Sequence, residues 1–279
     1  MKYKKIAMLT CWYGPYPWYF PYFIDSCRYN QTVDFIIITV NTDSIFNKSD
    51  NVIIINKTLD ELKSRFSEKL GFLVSIDYPY KLCDFKPAYG FLFPEIIADY
   101  DFWGIGDIDI VYGKIRLFMT DDILNQYDVI SSRHDYITGS FCLFRNNEQI
   151  NTLFMKSKDY EKVFSTSGNF CFDECNYLFK YLTMGMSIFD FPDNIQSMTY
   201  VVKKAESEGL LKAFFDFMII EGTPGRICYN KGQLVYKNMY EAMFYHLIKF
   251  KEDCKLQAVL KPIPETYYFT PTRILSKKP

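Results

Sequence analysis

The sequence predicts a mixed α/β fold: a parallel sheet with helical crossovers, extended by antiparallel strands in the second half. Three observations predict it. In the first third, short apolar runs alternate with amphipathic stretches of helix length, the pattern of βαβ units. The run Asp34–Val40 is β-branched and apolar on both faces, as in a strand buried within a parallel sheet. Further on, Arg226–Tyr229 and Gln233–Tyr236 flank Asn230-Lys231-Gly232, the signature of an antiparallel hairpin.

The elements follow in order. Lys5–Thr10 is a short apolar strand. Trp18–Arg28 is a helix leading to the second strand, Asp34–Val40, and Asn51–Asn56 is a third strand. Thr58 with Glu61 forms a capping box opening a helix whose apolar residues Leu59, Leu62, Phe66 and Leu70 keep near-helical spacing. A helix is expected from Lys86 to Ala98, with Pro87 at an early position. Asp99–Asp101 is a turn, and Phe102–Ile105 is a strand running into Gly106-Asp107-Ile108-Asp109. Tyr127–Ser131 and Ser140–Phe144 read as strands. Asp173–Leu182 reads as a helix, with Gly185 beyond its end. No linker, repeat or low-complexity segment interrupts the chain, so one domain is expected over residues 1–279.

Composition narrows the function. The 279 residues carry 32 Lys plus Arg against 33 Asp plus Glu, a net charge of −1 that argues against a general nucleic-acid binder, which needs a basic face. Eight scattered cysteines without a CxxC read as free thiols of a reducing compartment. Neither a signal peptide nor an apolar stretch of about 18 residues is visible, so a cytoplasmic protein is expected, with peripheral membrane contact left open. The 26 Phe, 23 Tyr and 3 Trp suit a stacking surface for sugars or bases, but a plain compositional bias gives the same numbers. There is no phosphate-binding Walker loop, no dinucleotide fingerprint and no nucleophile elbow.

The acidic pair carries the chemistry. In an open α/β sheet, ligands bind beyond the carboxyl ends of the strands. Asp107 and Asp109 stand there, and residues i and i+2 of extended backbone point to one side. Two carboxylates so placed can share a hard cation such as Mg²⁺ or Mn²⁺, which can neutralise a diphosphate leaving group. Gly104 and Gly106 would let the backbone approach a ligand. Asp99 and Asp101 have the same spacing, but they precede the strand, where a polar turn is expected anyway.

Lys81-Leu-Cys-Asp84-Phe-Lys86, an aromatic-rich segment and Phe102-Trp-Gly-Ile-Gly-Asp107-Ile-Asp109 together resemble the centre of GT-A-type nucleotide-sugar glycosyltransferases with a DxD motif. Tyr80–Gly113 also resembles an uncharacterised bacterial family associated with polysaccharide synthesis. The resemblance covers about residues 78–115. It implies a GT-A-like, Rossmann-like fold, with residues 1–115 as the nucleotide-sugar half and 116–279 as the acceptor half. It implies metal-dependent transfer of a sugar from a nucleotide diphosphate sugar, most readily a UDP-sugar, to a hydroxyl of a glycan or lipid-linked acceptor. Asp107 and Asp109 match the metal- and diphosphate-binding pair, and Asp84 matches the helix-start aspartate near the donor. The family's arginine three residues later is here Pro87, with Lys86 displaced by one.

Other candidates follow from the resemblance together with chain order. A late histidine often completes such metal sites, and His246 is in the right part of the chain; the alternative is a half-buried histidine on an aromatic strand. His134 sits in a polar loop and reads as solvated. Thr10, Trp12 and Tyr13 end the first strand where the nucleotide would be cradled, and Asp43 after the second could accept from a base or ribose group. Asp173 and Glu174 are the best-placed catalytic base, although acidic residues favour the first turn of any helix. Ile137–Cys142 could floor the acceptor site, with its glycine permitting close approach. Two rival functions share these features: a metal-dependent nucleotidyltransferase, and a non-catalytic glycan-binding protein or scaffold on a transferase fold.

Overall fold

The alternation in the first third builds four parallel strands: β1 (Ile6–Cys11), β2 (Val33–Thr39), β3 (Val52–Asn56) and β4 (Phe102–Gly106). The structure is a computed structural model describing residues 3–41 and 48–277. Helix α1 (Phe20–Cys27) connects β1 to β2, and α2 (Leu59–Leu70) follows β3. The capping box at α2 is formed in full: Thr58 Oγ1 accepts from the Glu61 amide at 3.1 Å, and the Thr58 amide donates to Glu61 Oε2 at 2.6 Å. Gly71, at φ +78°, supplies the left-handed residue that closes the helix.

The remaining strands are β5 (Ile110–Tyr112), β6 (Val129–Ser131), β7 (Phe141–Arg145), β8 (Ala213–Phe215), β9 (Ile219–Ile220), β10 (Ile227–Asn230), β11 (Gln233–Tyr236), β12 (Tyr240–Glu241), β13 (Phe244–His246), β14 (Thr266–Phe269) and β15 (Ile274–Leu275). The largest sheet runs β3-β2-β1-β4-β7-β6-β8, with β7 antiparallel to both neighbours. A second sheet, β5-β13-β9, continues from β4, and a third, β12-β11-β10-β14-β15, is antiparallel throughout. The expected mixed sheet is therefore present. The expected hairpin is two strands of a five-stranded sheet, and its turn is tight, with Lys231 and Gly232 both at positive φ (48° and 83°). In the large sheet the order steps from β1 to β2 and β3, then returns to the other side of β1 at β4. The crevice beyond the carboxyl ends of β1 and β4 is thus the topological switch point, where such sheets bind ligands.

Two expected helices are not continuous. Residues 86–98 fold as short pieces, Lys86–Ala88, Tyr89–Leu92 and Pro94–Ile97, because Pro94 lacks an amide and its ring collides with the preceding turn. Residues 172–177 are turns, and the helix begins only at Phe179. Asn176 and Tyr177 there adopt left-handed backbone (φ 52° and 63°), which ends helical continuity. Asn176 is held in that shape by tertiary bonds, donating to Phe170 O at 2.8 Å and accepting from the Ile195 amide at 3.2 Å.

The aromatic surplus mostly fills the core: Trp103, Tyr22, Tyr89, Tyr112, Tyr229, Tyr245 and Tyr267 are fully buried. Gly104 serves the same packing rather than a ligand, since a Cβ there would stand 2.5 Å from Met8 Sδ and 2.6 Å from Leu143 Cδ2. A Cβ at Gly106 would likewise meet Tyr112 Oη at 3.1 Å. None of the eight cysteines is in a disulfide, and no helix of the described residues is long and apolar enough to cross a membrane.

Candidate active site

Thr10 Oγ1 donates to Gly106 O at 2.9 Å, locking together the carboxyl ends of β1 and β4. From there the chain passes through Asp107 and bends at Ile108 and Asp109 before entering β5. Asp107 and Asp109 line a cavity of about 650 Å³ at the switch point. Strand β13 pairs with β5 so that His246 stands opposite Ile110, and the Leu247 amide donates to Asp109 O at 2.8 Å. That pairing carries His246 to the acidic pair. One ligating atom from each of Asp107, Asp109 and His246 lies within 4.8 Å of the other two.

Each charge in this cluster is already answered. Asp109 Oδ1 lies 3.6 Å from His246 Nε2, and Oδ2 accepts from Lys251 at 2.7 Å. Burial pushes the Asp109 carboxyl up, but His246 and Lys251 outweigh it and hold it below the ordinary carboxylate range. Burial pulls the His246 imidazole down, yet Asp109 and Glu221 carry it up to about 10. It is therefore an imidazolium at neutral pH, and ligating a cation requires its proton to leave. Lys86 donates to Asp107 Oδ1 at 2.7 Å and to Gly139 O at 2.9 Å. Burial opposes its charge, but Asp107 prevails and the ammonium is held well above its usual value.

Two carboxylates and an imidazole suit a divalent cation of the Mg²⁺ or Mn²⁺ kind. Lys86 and Lys251 place positive nitrogens on both carboxylates.

Across the cavity stand Asp173 and Glu174. Because they occupy a turn and not a helix N-terminus, a helix dipole does not account for them. A Cβ at Gly139 would lie 2.3 Å from Asp173 Oδ2, so the glycine grants the close approach expected of residues 137–142. The Gly139 amide donates to Glu174 Oε1 at 2.8 Å, and Cys171 Sγ lies 3.5 Å from Oε2. Asp173 Oδ2 lies 3.7 Å from Lys86. Burial raises the Asp173 carboxyl well above the ordinary range, against the pull of Lys86.

The structure brings most of the sequence candidates together. Thr10, Trp12, Tyr13, Lys86, Asp107, Asp109, Asp173, Glu174 and His246 all line the cavity. His246 satisfies both readings at once, being on an aromatic strand and in the cluster. The exposed His134 ring instead packs against Phe217, 5.9 Å between centroids. Asp43 lies outside the described residues.

Asp84 does not reach the cavity. It is fully buried behind the wall, 2.8 Å from the equally buried Lys81 and accepting from the Phe170 and Phe172 amides. Lys81 also donates to Val163 O at 2.6 Å and Gly168 O at 2.7 Å. The pair thus pins the segment that presents Asp173 and Glu174. Lys81→Met is expected to lower unfolding free energy by roughly 3–5 kcal/mol in chemical denaturation, because it strands a buried carboxylate.

Two site residues escaped the sequence reading. Glu221, just beyond β9, and Lys251, in the short helix Phe250–Asp253, both line the cavity. Neither has a local motif; only the pairing of β13 with β5 and β9 assembles them around His246.

Fold and site together define a mixed α/β protein with an acidic pair and a histidine clustered at the sheet's switch point. Residues 8–278 match the model of a family described as a family of unknown function, DUF6625, and the chain belongs to that family. No curated protein matches the sequence. Among solved structures, the chain is similar to the galactosyltransferase LgtC crystallised with donor and acceptor sugar analogs. The identity is 11%, over 79% of this chain and 76% of that one, with a TM-score of 0.37. It is also similar to the apo-form glycosyltransferase GlyE of Streptococcus pneumoniae TIGR4, at 8% identity over 76% of this chain and 45% of that one, with a TM-score of 0.38. At these TM-scores the functional reading rests on the residues of this chain.

Proposed function

We propose that the protein is a metal-dependent glycosyltransferase of GT-A type, transferring a sugar from a nucleotide diphosphate sugar to a hydroxyl of a glycan or lipid-linked acceptor. The observation that supports it best is the Asp107–Asp109–His246 cluster at the switch point, sharing one cavity with Asp173 and Glu174. Asp107, Asp109 and His246 would hold Mn²⁺ or Mg²⁺. When bound, the cation supplies the positive charge that neutralises a departing diphosphate.

The chain's own residues do the rest. Thr10, Trp12 and Tyr13 would wall the nucleotide side of the cavity, with a UDP-sugar as the favoured donor. Lys86 ties Asp107 to Asp173 through one ammonium, so the phosphate side and the acceptor side are held in register. Asp173 would take the proton of the acceptor hydroxyl: it lines the cavity with the acidic pair, and Lys86 3.7 Å away favours its ionised form. Glu174, held through both its oxygens, would brace the turn. In this reading residues 1–115 and 116–279 are the donor and acceptor halves of one domain. The setting would be surface polysaccharide synthesis in a bacterial cytoplasm, at or near the inner face of the membrane.

The test is a calorimetric screen of nucleoside diphosphates with and without Mn²⁺. The expected outcome is binding that requires Mn²⁺, with UDP tightest, and release of free nucleoside diphosphate on turnover of the matching sugar nucleotide. Failure of every nucleoside diphosphate to bind would end the proposal. Release of pyrophosphate instead would point to nucleotidyl transfer.

A further inference from the structure

We propose that Glu221 is a positioning residue of the cation site, fixing the ring of His246 so that Nε2 offers its lone pair to a divalent cation. The inference rests on the reading given above and adds a residue that no sequence motif marks.

The two nitrogens of His246 face different partners. Nε2 lies 3.6 Å from Asp109 Oδ1, on the side of the acidic pair. Nδ1 lies 3.4 Å from Glu221 Oε1. A ligating imidazole is neutral and has a lone pair on only one nitrogen, the other carrying the proton. A carboxylate at Nδ1 accepts that proton's hydrogen bond and leaves the lone pair on Nε2, which faces Asp109. Without it, the ring can turn over or adopt the other tautomer. Glu221 meets the ring on the nitrogen that does not face Asp109, so its place is behind the ligand.

Glu221 is itself held. Its Oε2 pairs with Nη1 of Arg133, whose side chain is nearly buried. The Arg133 fork closes on Asp135 at 2.9 and 2.8 Å, and its guanidinium lies over the rings of Tyr136 and Phe217 at 4.6 and 5.3 Å from their centroids. Asp135 in turn accepts from Thr183 at 3.0 Å. The backbone aligns both partners: β9 and β13 are parallel with Ile220 opposite Tyr245, and the next residue along the chain is Glu221 just beyond β9 and His246 in β13. A carboxylate clamped by arginine and aimed at a ligand imidazole is the arrangement by which outer groups fix metal-binding histidines.

The experiment titrates MnCl₂ alone, by calorimetry, into the full chain as wild type, Glu221→Gln, Glu221→Asp, His246→Ala and the Glu221→Gln/His246→Ala double variant. Glutamine keeps an acceptor for Arg133, and aspartate keeps the charge but withdraws from the ring. Each single Glu221 variant is expected to weaken Mn²⁺ binding roughly 10–100-fold with the unfolding temperature little changed. In the His246→Ala background, Glu221→Gln should change nothing further, because the route through the ring is gone. Wild-type affinity in both Glu221 variants overturns the proposal and leaves the proposed function standing. An equal loss with and without His246 also overturns it, since Glu221 would then act on the cation by another route. Absence of Mn²⁺ binding by the wild type overturns the cation site itself.

Discussion

Asp109→Asn is expected to remove Mn²⁺-dependent nucleoside diphosphate binding almost entirely and to cut sugar transfer by at least about a hundredfold, the scale of losing one preorganised charge-stabilising group. The substitution keeps the shape but removes the charge that Lys251 and His246 now answer. It leaves the backbone contact intact, because the bond from the Leu247 amide goes to the Asp109 carbonyl. Circular dichroism should therefore report a folded protein. Calorimetry with UDP and Mn²⁺ reads the loss directly. A variant that binds UDP and Mn²⁺ as the wild type does would remove Asp109 from the cation site.

Asp173→Asn is expected to do the opposite: affinity for Mn²⁺ and nucleotide unchanged, and the rate of sugar transfer lowered by roughly 10²–10⁴-fold, the usual worth of a positioned general base. The separation follows from geometry. Asp173 shares the cavity with the acidic pair but touches it only through Lys86. A transfer rate equal to the wild type would show that no base acts at this position, the outcome expected of a transferase that retains anomeric configuration.

Much of this site could be read along the chain. The acidic pair was legible because it follows an apolar strand, at the carboxyl end where such sheets bind ligands; the two carboxylates come together although the chain bends at Ile108 and Asp109 instead of staying extended. The capping box at Thr58 and the glycine turn at 231–232 were legible because turn and cap chemistry is local. Lys86 was legible only through resemblance, and its reach to Asp107 had to be seen in space. Asp84 misled for the same reason: the motif placed it near the donor, but a buried lysine one turn earlier holds it behind the wall. Asp173 and Glu174 were found by chain order with the wrong local structure attached. Their acidity reads as a helix start, whereas the tertiary bonds of Asn176 impose a left-handed turn.

By itself the sequence determined the strands, the order of crossovers in the first half, the hairpin, and the carboxylates that end β4. These depend on which face of a short segment is apolar and on the turn residues that bound it, both properties of neighbours in the chain. Only the tertiary structure decided that His246, Glu221 and Lys251 surround those carboxylates, and that Lys86 joins them to Asp173. Lys251 reaches Asp109 across 142 positions, a separation no periodicity can encode. It is fixed by the pairing of β13 between β5 and β9 and by the packing of the short helix that follows. Those choices are made by burial of the whole core, and the site exists only once they have been made.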